Sequence, residues 1–199
     1  MIRLYRMAPD VTVLGPGRRF CLWVQGCTRR CPGCMSPETW DPAGGTPWQE
    51  EALAARILEF PFDGITISGG EPFLQAGPLA RLLQLLRARR DTGVIVYTGF
   101  TLPQLQQMHD PQVEALLAAT DLLIDGPYRQ DLDDDGALRG SSNQQARLLT
   151  DRYAGLPDTG FGRAGQREQQ WQVDDQGVLF IGLRRRGGAP RHTEKEHIP

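Results

Sequence analysis

Four short apolar blocks constrain this chain more than anything else in it: Phe20–Val24, Gly64–Ile67, Val94–Tyr97 and Leu122–Ile124. Each has the length of a strand, and they read as buried strands rather than as strands with one wet face. Between them the apolar period changes. Leu53, Ile57 and Phe60 recur near helical spacing, and Leu79, Leu82, Leu83 and Leu86 fall at i, i+3, i+4 and i+7. Thr101 can cap a short helix over Leu102–Met108, and Val113–Ala118 is helical again after Pro111. Such alternation implies right-handed βαβ units round a parallel sheet. The fold class expected is α/β, a partial (βα) barrel of about five to six parallel strands, too few for a closed eight-stranded barrel.

The remaining segments are read more locally. Ile2–Met7 and Val11–Leu14 are expected as short strands. Thr46, Pro47 and Gln49 have the pattern of a helix start with a capping box. Asp131–Asp135 reads as a solvated acidic loop, Asn143–Leu149 as a further helix, and Trp171–Val173 with Val178–Ile181 as a hairpin. Residues 155–170 have the composition of a mobile segment, and the last dozen are polar enough for a disordered tail. The expected organisation is a core over 1–154 with a small extension, 155–199, that is not a separate domain.

All four cysteines fall between Cys21 and Cys34. No apolar run reaches membrane-spanning length, and Arg3 and Arg6 interrupt the start as no signal peptide would. A cytoplasmic protein is therefore expected, with thiols kept reduced. Clustered thiols then read as metal ligands before they read as staples. Cys27, Cys31 and Cys34 are spaced Cys-x3-Cys-x2-Cys, with Pro32 and Gly33 to turn the chain tightly. Such a loop can wrap three thiolates round a cubane iron–sulfur cluster and leave one iron open. Cys21 stays open as a fourth ligand or as a small buried hydrophobe in its strand. Zinc and plain electron transfer stay open as well, although only one pair here has zinc-knuckle spacing.

The cysteine loop follows a strand, and the next strand ends in Ser68-Gly69-Gly70-Glu71-Pro72. In that order the two motifs resemble the radical S-adenosylmethionine (SAM) superfamily. Further segments narrow the likeness: Gly15-Pro16-Gly17-Arg18-Arg19-Phe20, Gln25-Gly26-Cys27, Pro37-Glu38-Thr39-Trp40-Asp41, Tyr97-Thr98-Gly99, Asp125-Gly126-Pro127 and Arg139-Gly140-Ser141-Ser142-Asn143-Gln144. They are similar to the small activating enzymes of glycyl-radical enzymes, in particular the activators of anaerobic ribonucleoside-triphosphate reductase. The chain departs from them at Met35, where an aromatic residue or His is usual, at Ser36, and in its longer C-terminus.

The resemblance implies a 4Fe–4S cluster on Cys27, Cys31 and Cys34, and SAM bound by Gly33, Met35, Ser68, Gly69, Gly70, Glu71, Thr98 and Asp125, with no catalytic side chain beyond the cluster. It also implies reductive cleavage to a 5′-deoxyadenosyl radical, a glycyl-radical enzyme as protein substrate, and a flavodoxin or ferredoxin-type electron donor. A net charge of -2 offers no field for nucleic acid or membrane. Two other readings stand beside this one. The extension could shape a pocket for a small molecule or peptide, or the chain could be a non-enzymatic iron–sulfur or zinc module.

Overall fold

The computed structural model describes residues 1–155, 167–174 and 177–183. A seven-stranded sheet runs in the order β3-β1-β2-β4-β5-β6-β7. Its centre is parallel: β2 (Arg19–Val24), β4 (Gly64–Gly69), β5 (Gly93–Thr98) and β6 (Leu122–Asp125). The flanks are antiparallel, with β1 (Ile2–Val11) and β3 (Thr46–Trp48) on one side and β7 (Gln145–Leu148) on the other. This is the α/β partial barrel that the alternation predicts, with four parallel strands among the described residues where about five to six were expected.

The helices α1 (Glu50–Leu58), α2 (Ala76–Arg87), α3 (Leu102–Gln107) and α4 (Pro111–Ala118) bury one face of the sheet. Leu79, Leu82, Leu83 and Leu86 of α2 are fully buried against Ile65, Ile67, Val94 and Val96. Each such side chain contributes about 1.5–3 kcal/mol relative to exposure. At α3 the capping box on Thr101 and Gln104 is present in full.

The opposite face is covered by the chain itself. β1 carries register shifts, and after the second of them, between Ala8 and Val11, the segment past it lies across the sheet, where Leu14 O accepts from Thr66 Oγ1 at 2.9 Å. Arg19 fills the base of this face at 1% exposure. It donates to Thr66 Oγ1 (3.0 Å), Tyr153 Oη (2.9 Å), Ile65 O (2.5 Å) and Gly93 O (3.1 Å). A buried guanidinium thus ties three strands to Tyr153 through neutral oxygens, which satisfy its donors. β8 (Gln169–Asp174) and β9 (Gly177–Gly182) form an antiparallel hairpin on the same side, and Ile181 packs with Ala8, Val11, Leu14 and Cys21.

Four local expectations are corrected. Ile2–Met7 and Val11–Leu14 are not two strands; one bulged strand takes up the first and the start of the second. Thr46–Trp48 is an edge strand on β1, where Pro47 is tolerated because the edge asks no N–H of it, and α1 starts after Gln49 with no side-chain cap. Gln145–Leu148 is a strand, drawn onto the open edge of β6. Asp133, inside the acidic loop, is 7% exposed because Arg167 and Tyr128 bind it. Most of the segment expected to be mobile, and the expected disordered tail, lie outside the described residues.

Candidate active site

β2 delivers the chain at Val24 to a loop whose neck is sewn shut. Gly26 N donates to Thr39 O (2.7 Å) and Cys27 N to Trp40 O (3.1 Å), while Gln25 Nε2 reaches Glu38 O and Asp41 O. Within the loop, Cys34 N donates to Cys31 O at 3.0 Å across Pro32 and Gly33, and Gly33 has φ 72°. Proline then a left-handed glycine at the centre of a turn is the type II pattern, open to few residues besides Gly. The turn sets Cys31 and Cys34 on one side, both half-buried like Cys27.

Backbone donors face the sulfurs. Ser36 N lies 3.4 Å from Cys34 Sγ, and the N–H groups of Arg29 and Arg30 point to Cys27 Sγ. Burial pushes the Cys27 thiol above its ordinary value, and those two N–H groups offset only part of the rise. N–H donors of this kind favour the anionic sulfur that iron requires. Cys21 is a different case. It is 1% exposed inside an apolar cluster, and burial pushes its thiol up to about 12.

The loop forms one wall of an open pocket with ≈ 800 Å³ of empty space, counting its mouth. Cys27, Cys31, Cys34 and Met35 line it, as do Ser68, Gly69, Gly70, Glu71 and Thr98 from the carboxyl ends of β4 and β5. Ligand crevices in open parallel sheets form at that end of the strands. Two expected residues stand off the wall. Gly33 acts inside the turn against Gln130. Asp125 is 2% exposed, and its Oδ2 accepts from Leu102 N (2.6 Å) and Arg147 Nε (2.9 Å), so it braces α3 and β7.

The Ser68–Glu71 turn is sewn to the cysteine loop. Gly70 N donates to Val24 O and Glu71 N to Gly26 O, both at 2.8 Å. Glu71 is 1% exposed. Its Oε1 accepts from Thr98 Oγ1 (2.8 Å) and Phe73 N (3.1 Å), its Oε2 from Gly99 N (2.8 Å). Burial pushes its carboxyl above the ordinary value, against the pull of those donors and of nearby Arg29. These bonds join the end of β4 to the end of β5. Replacing Glu71 with Gln sets an amide N–H against one of these donors, at a cost of about 1–3 kcal/mol. Thermal unfolding of E71Q is expected to come several degrees below that of the parent chain.

Arg29, Tyr128 and Leu183 line the pocket although no sequence motif pointed to them. Arg29 lies 5.0 Å over the ring of Phe100, a contact no local spacing announces. Trp40 Nε1 and Tyr97 Oη, both buried on wall residues, have no hydrogen-bond partner among the described residues. Buried donors without partners are costly, and they mark places where a bound group can supply the acceptor. Among the described residues no three His, Cys, Asp or Glu side chains close on a single-ion position. Three thiols spread along one wall, with N–H donors on the sulfurs of Cys27 and Cys34, fit a multi-iron cluster with one thiolate per iron.

Residues 13–147 match the protein family described as a 4Fe-4S single cluster domain. The anaerobic ribonucleoside-triphosphate reductase-activating protein of Vibrio cholerae is 35% identical over 71% of this chain and 95% of its own length. The protein of the same name from Pasteurella multocida is 36% identical over 68% of this chain and 90% of its own, and that of Escherichia coli 34% over 71% and 95%. Among solved structures, QueE from Escherichia coli aligns with 50% of this chain and 53% of its own at 20% identity, with a TM-score of 0.43, too loose a likeness to carry an argument.

Proposed function

This chain belongs to the 4Fe-4S single cluster domain family and to the anaerobic ribonucleoside-triphosphate reductase-activating proteins, and on that footing we propose how its pocket works as a radical SAM enzyme. Cys27, Cys31 and Cys34 would hold a 4Fe–4S cluster, one thiolate each, and the wall of Ser68, Gly69, Gly70 and Thr98 would hold SAM beside it. When bound and reduced, the cluster supplies the electron that splits SAM into methionine and a 5′-deoxyadenosyl radical, which takes a hydrogen atom from a glycine Cα of the partner reductase.

The chain's own residues position and protect. Gly69 and Gly70 let the methionine end approach the backbone, with Ser68 and Thr98 beside it. The Met35 thioether offers a soft surface for the adenine ring. Trp40 and Tyr97 exclude water and supply donors. Gly33 and Asp125 act one step back, through the turn and through the end of β6. The electron donor in this reading is a flavodoxin or ferredoxin-type protein, and the setting is cytoplasmic. No described helix is long and apolar enough to cross a membrane. Residues 1–154 form the radical-generating core and 155–199 an extension of it.

One observation carries this reading. The three thiols and the Ser68–Glu71 turn share one pocket wall and are sewn together by Gly70 N–Val24 O and Glu71 N–Gly26 O. The test is anaerobic: reconstituted protein, reductant, SAM and an anaerobic ribonucleotide reductase labelled with deuterium at glycine Cα. The expected result is a glycyl radical signal on the reductase, with deuterium in 5′-deoxyadenosine. Cleavage of SAM that carries label only from an added small molecule or peptide would replace this target. Iron without cleavage would reduce the chain to an electron-transfer module.

A further inference from the structure

The far wall of the pocket is held by a residue beyond the family match. Arg167 lies past residue 147 and is 1% exposed. Its guanidinium straddles Asp133, with Nη2 at 2.9 Å from Oδ1 and Nη1 at 3.2 Å from Oδ2. The same group donates to Asp135 Oδ1 (3.3 Å) and to the carbonyls of Gly136 (3.4 Å), Arg139 (3.0 Å) and Gly140 (3.2 Å). A planar fork with five donors can gather one loop in this way; an ammonium cannot.

That loop carries the pocket wall. Asp133 Oδ2 also accepts from Tyr128 Oη at 3.1 Å, and Tyr128 lines the pocket. Gly140, whose carbonyl Arg167 holds, lines it too, and its N–H donates to Gln144 Oε1 at 2.7 Å. Gln144 Nε2 in turn donates to Gly126 O at 2.8 Å, and both of those residues lie on the wall. Four wall residues therefore hang on one network whose hub is Arg167. The hairpin that follows is fixed to β1: Gln170 Nε2 donates to Asp10 O and Gln172 Nε2 to Pro9 O, each at 2.8 Å. It ends with Leu183 on the pocket rim.

We propose that Arg167 is a positioning residue for the reaction: through Asp133 and the Gly140 carbonyl it fixes the Tyr128–Gln144 wall, so that Arg167, with Leu183 on the wall, completes the SAM pocket of this chain. This rests on the reading of the pocket as a SAM site. Without the guanidinium, Asp133 is a buried carboxylate short of its main partner and the three carbonyls lose a donor, so the wall is free to move. The cysteine loop makes none of the contacts described for Arg167, and cluster assembly should not change.

Full-length Arg167→Ala and Arg167→Lys proteins are compared with the parent chain in three ways. These are iron content after reconstitution, the SAM binding isotherm with its change in the electron paramagnetic resonance of the reduced cluster, and hydrogen–deuterium exchange of residues 126–144 without cluster or cofactor. Expected for R167A are unchanged iron, faster exchange in that segment, and SAM affinity weaker by about 10- to 100-fold, the range for removing a side chain that holds a site's inner residues. R167K is expected to recover part of both. Parent-like exchange and affinity in R167A overturn the proposal. If R167A does not fold, R167K decides by the same two readouts, weaker binding with faster exchange supporting it and parent values overturning it. A parent chain that binds no SAM defeats the functional reading instead, and exchange alone then judges whether Arg167 holds the loop.

Discussion

Alanine at Cys27, Cys31 or Cys34 is expected to abolish SAM cleavage, with a loss of about 10³-fold or more, because the loop supplies one thiolate per iron and holds none in reserve. Reconstituted C27A, C31A and C34A should lack the broad visible absorption of an iron–sulfur cluster, bind less iron than the parent, and form no 5′-deoxyadenosine. The decisive comparison is Cys21→Ala. Cys21 packs among Ala8, Val11, Leu14 and Ile181, behind Tyr97, and does not itself line the pocket. Its loss removes one buried sulfur from an apolar cluster, a cost of about 1 kcal/mol. C21A should thus keep its absorption, its iron and its turnover, with a slightly lower unfolding temperature. If C21A loses the cluster while one of the other three variants keeps it, the ligand set has been read wrongly.

The parallel core was legible because its signals are local and repeated. Four apolar blocks and the leucine stripe of α2 each carry their own period, and the structure puts them in the strands and helix they predict. The cysteine loop was legible for the same reason, since spacing alone brings its thiols to one turn. Elements decided by a partner far along the chain were not. Thr46–Trp48 carries an intact capping pattern and is still a strand, because the edge of β1 competes for it. Gln145–Leu148 follows the open edge of β6 in the same way. Asp133 reads as solvated until Arg167, from well beyond it in the chain, is folded against it. Glu71 shows the limit within a motif. The sequence places a carboxylate at the right strand end, but only the structure shows its oxygens bonded to Thr98, Phe73 and Gly99.

Gly70→Ala tests the seam between the two halves of the site. A Cβ on Gly70 would stand 2.3 Å from Gly26 O, 2.9 Å from Gly26 C and 3.1 Å from Val24 O. All three atoms are backbone, so no side chain can swing aside. The turn must instead pull away from the loop neck and weaken Gly70 N–Val24 O and Glu71 N–Gly26 O. Overpacking of this kind costs about 1–3 kcal/mol, and more where only backbone can yield. The larger effect is on chemistry. Gly26 immediately precedes Cys27, so the shift separates the cluster ligands from the residues that place SAM, and a displacement of about 1 Å can cost 10²-fold in rate. G70A is therefore expected to hold its iron while 5′-deoxyadenosine formation falls by about two orders of magnitude. Gly99→Ala is the matched control on the same pocket. Its Cβ would meet Arg29 Cγ at 3.1 Å and Glu71 Oε2 at 3.4 Å, and the Arg29 side chain can move. G99A should keep most of its turnover. Equal losses in the two variants would show that crowding of the pocket matters, and not the seam; full activity in G70A would show that the seam does not align the site at all.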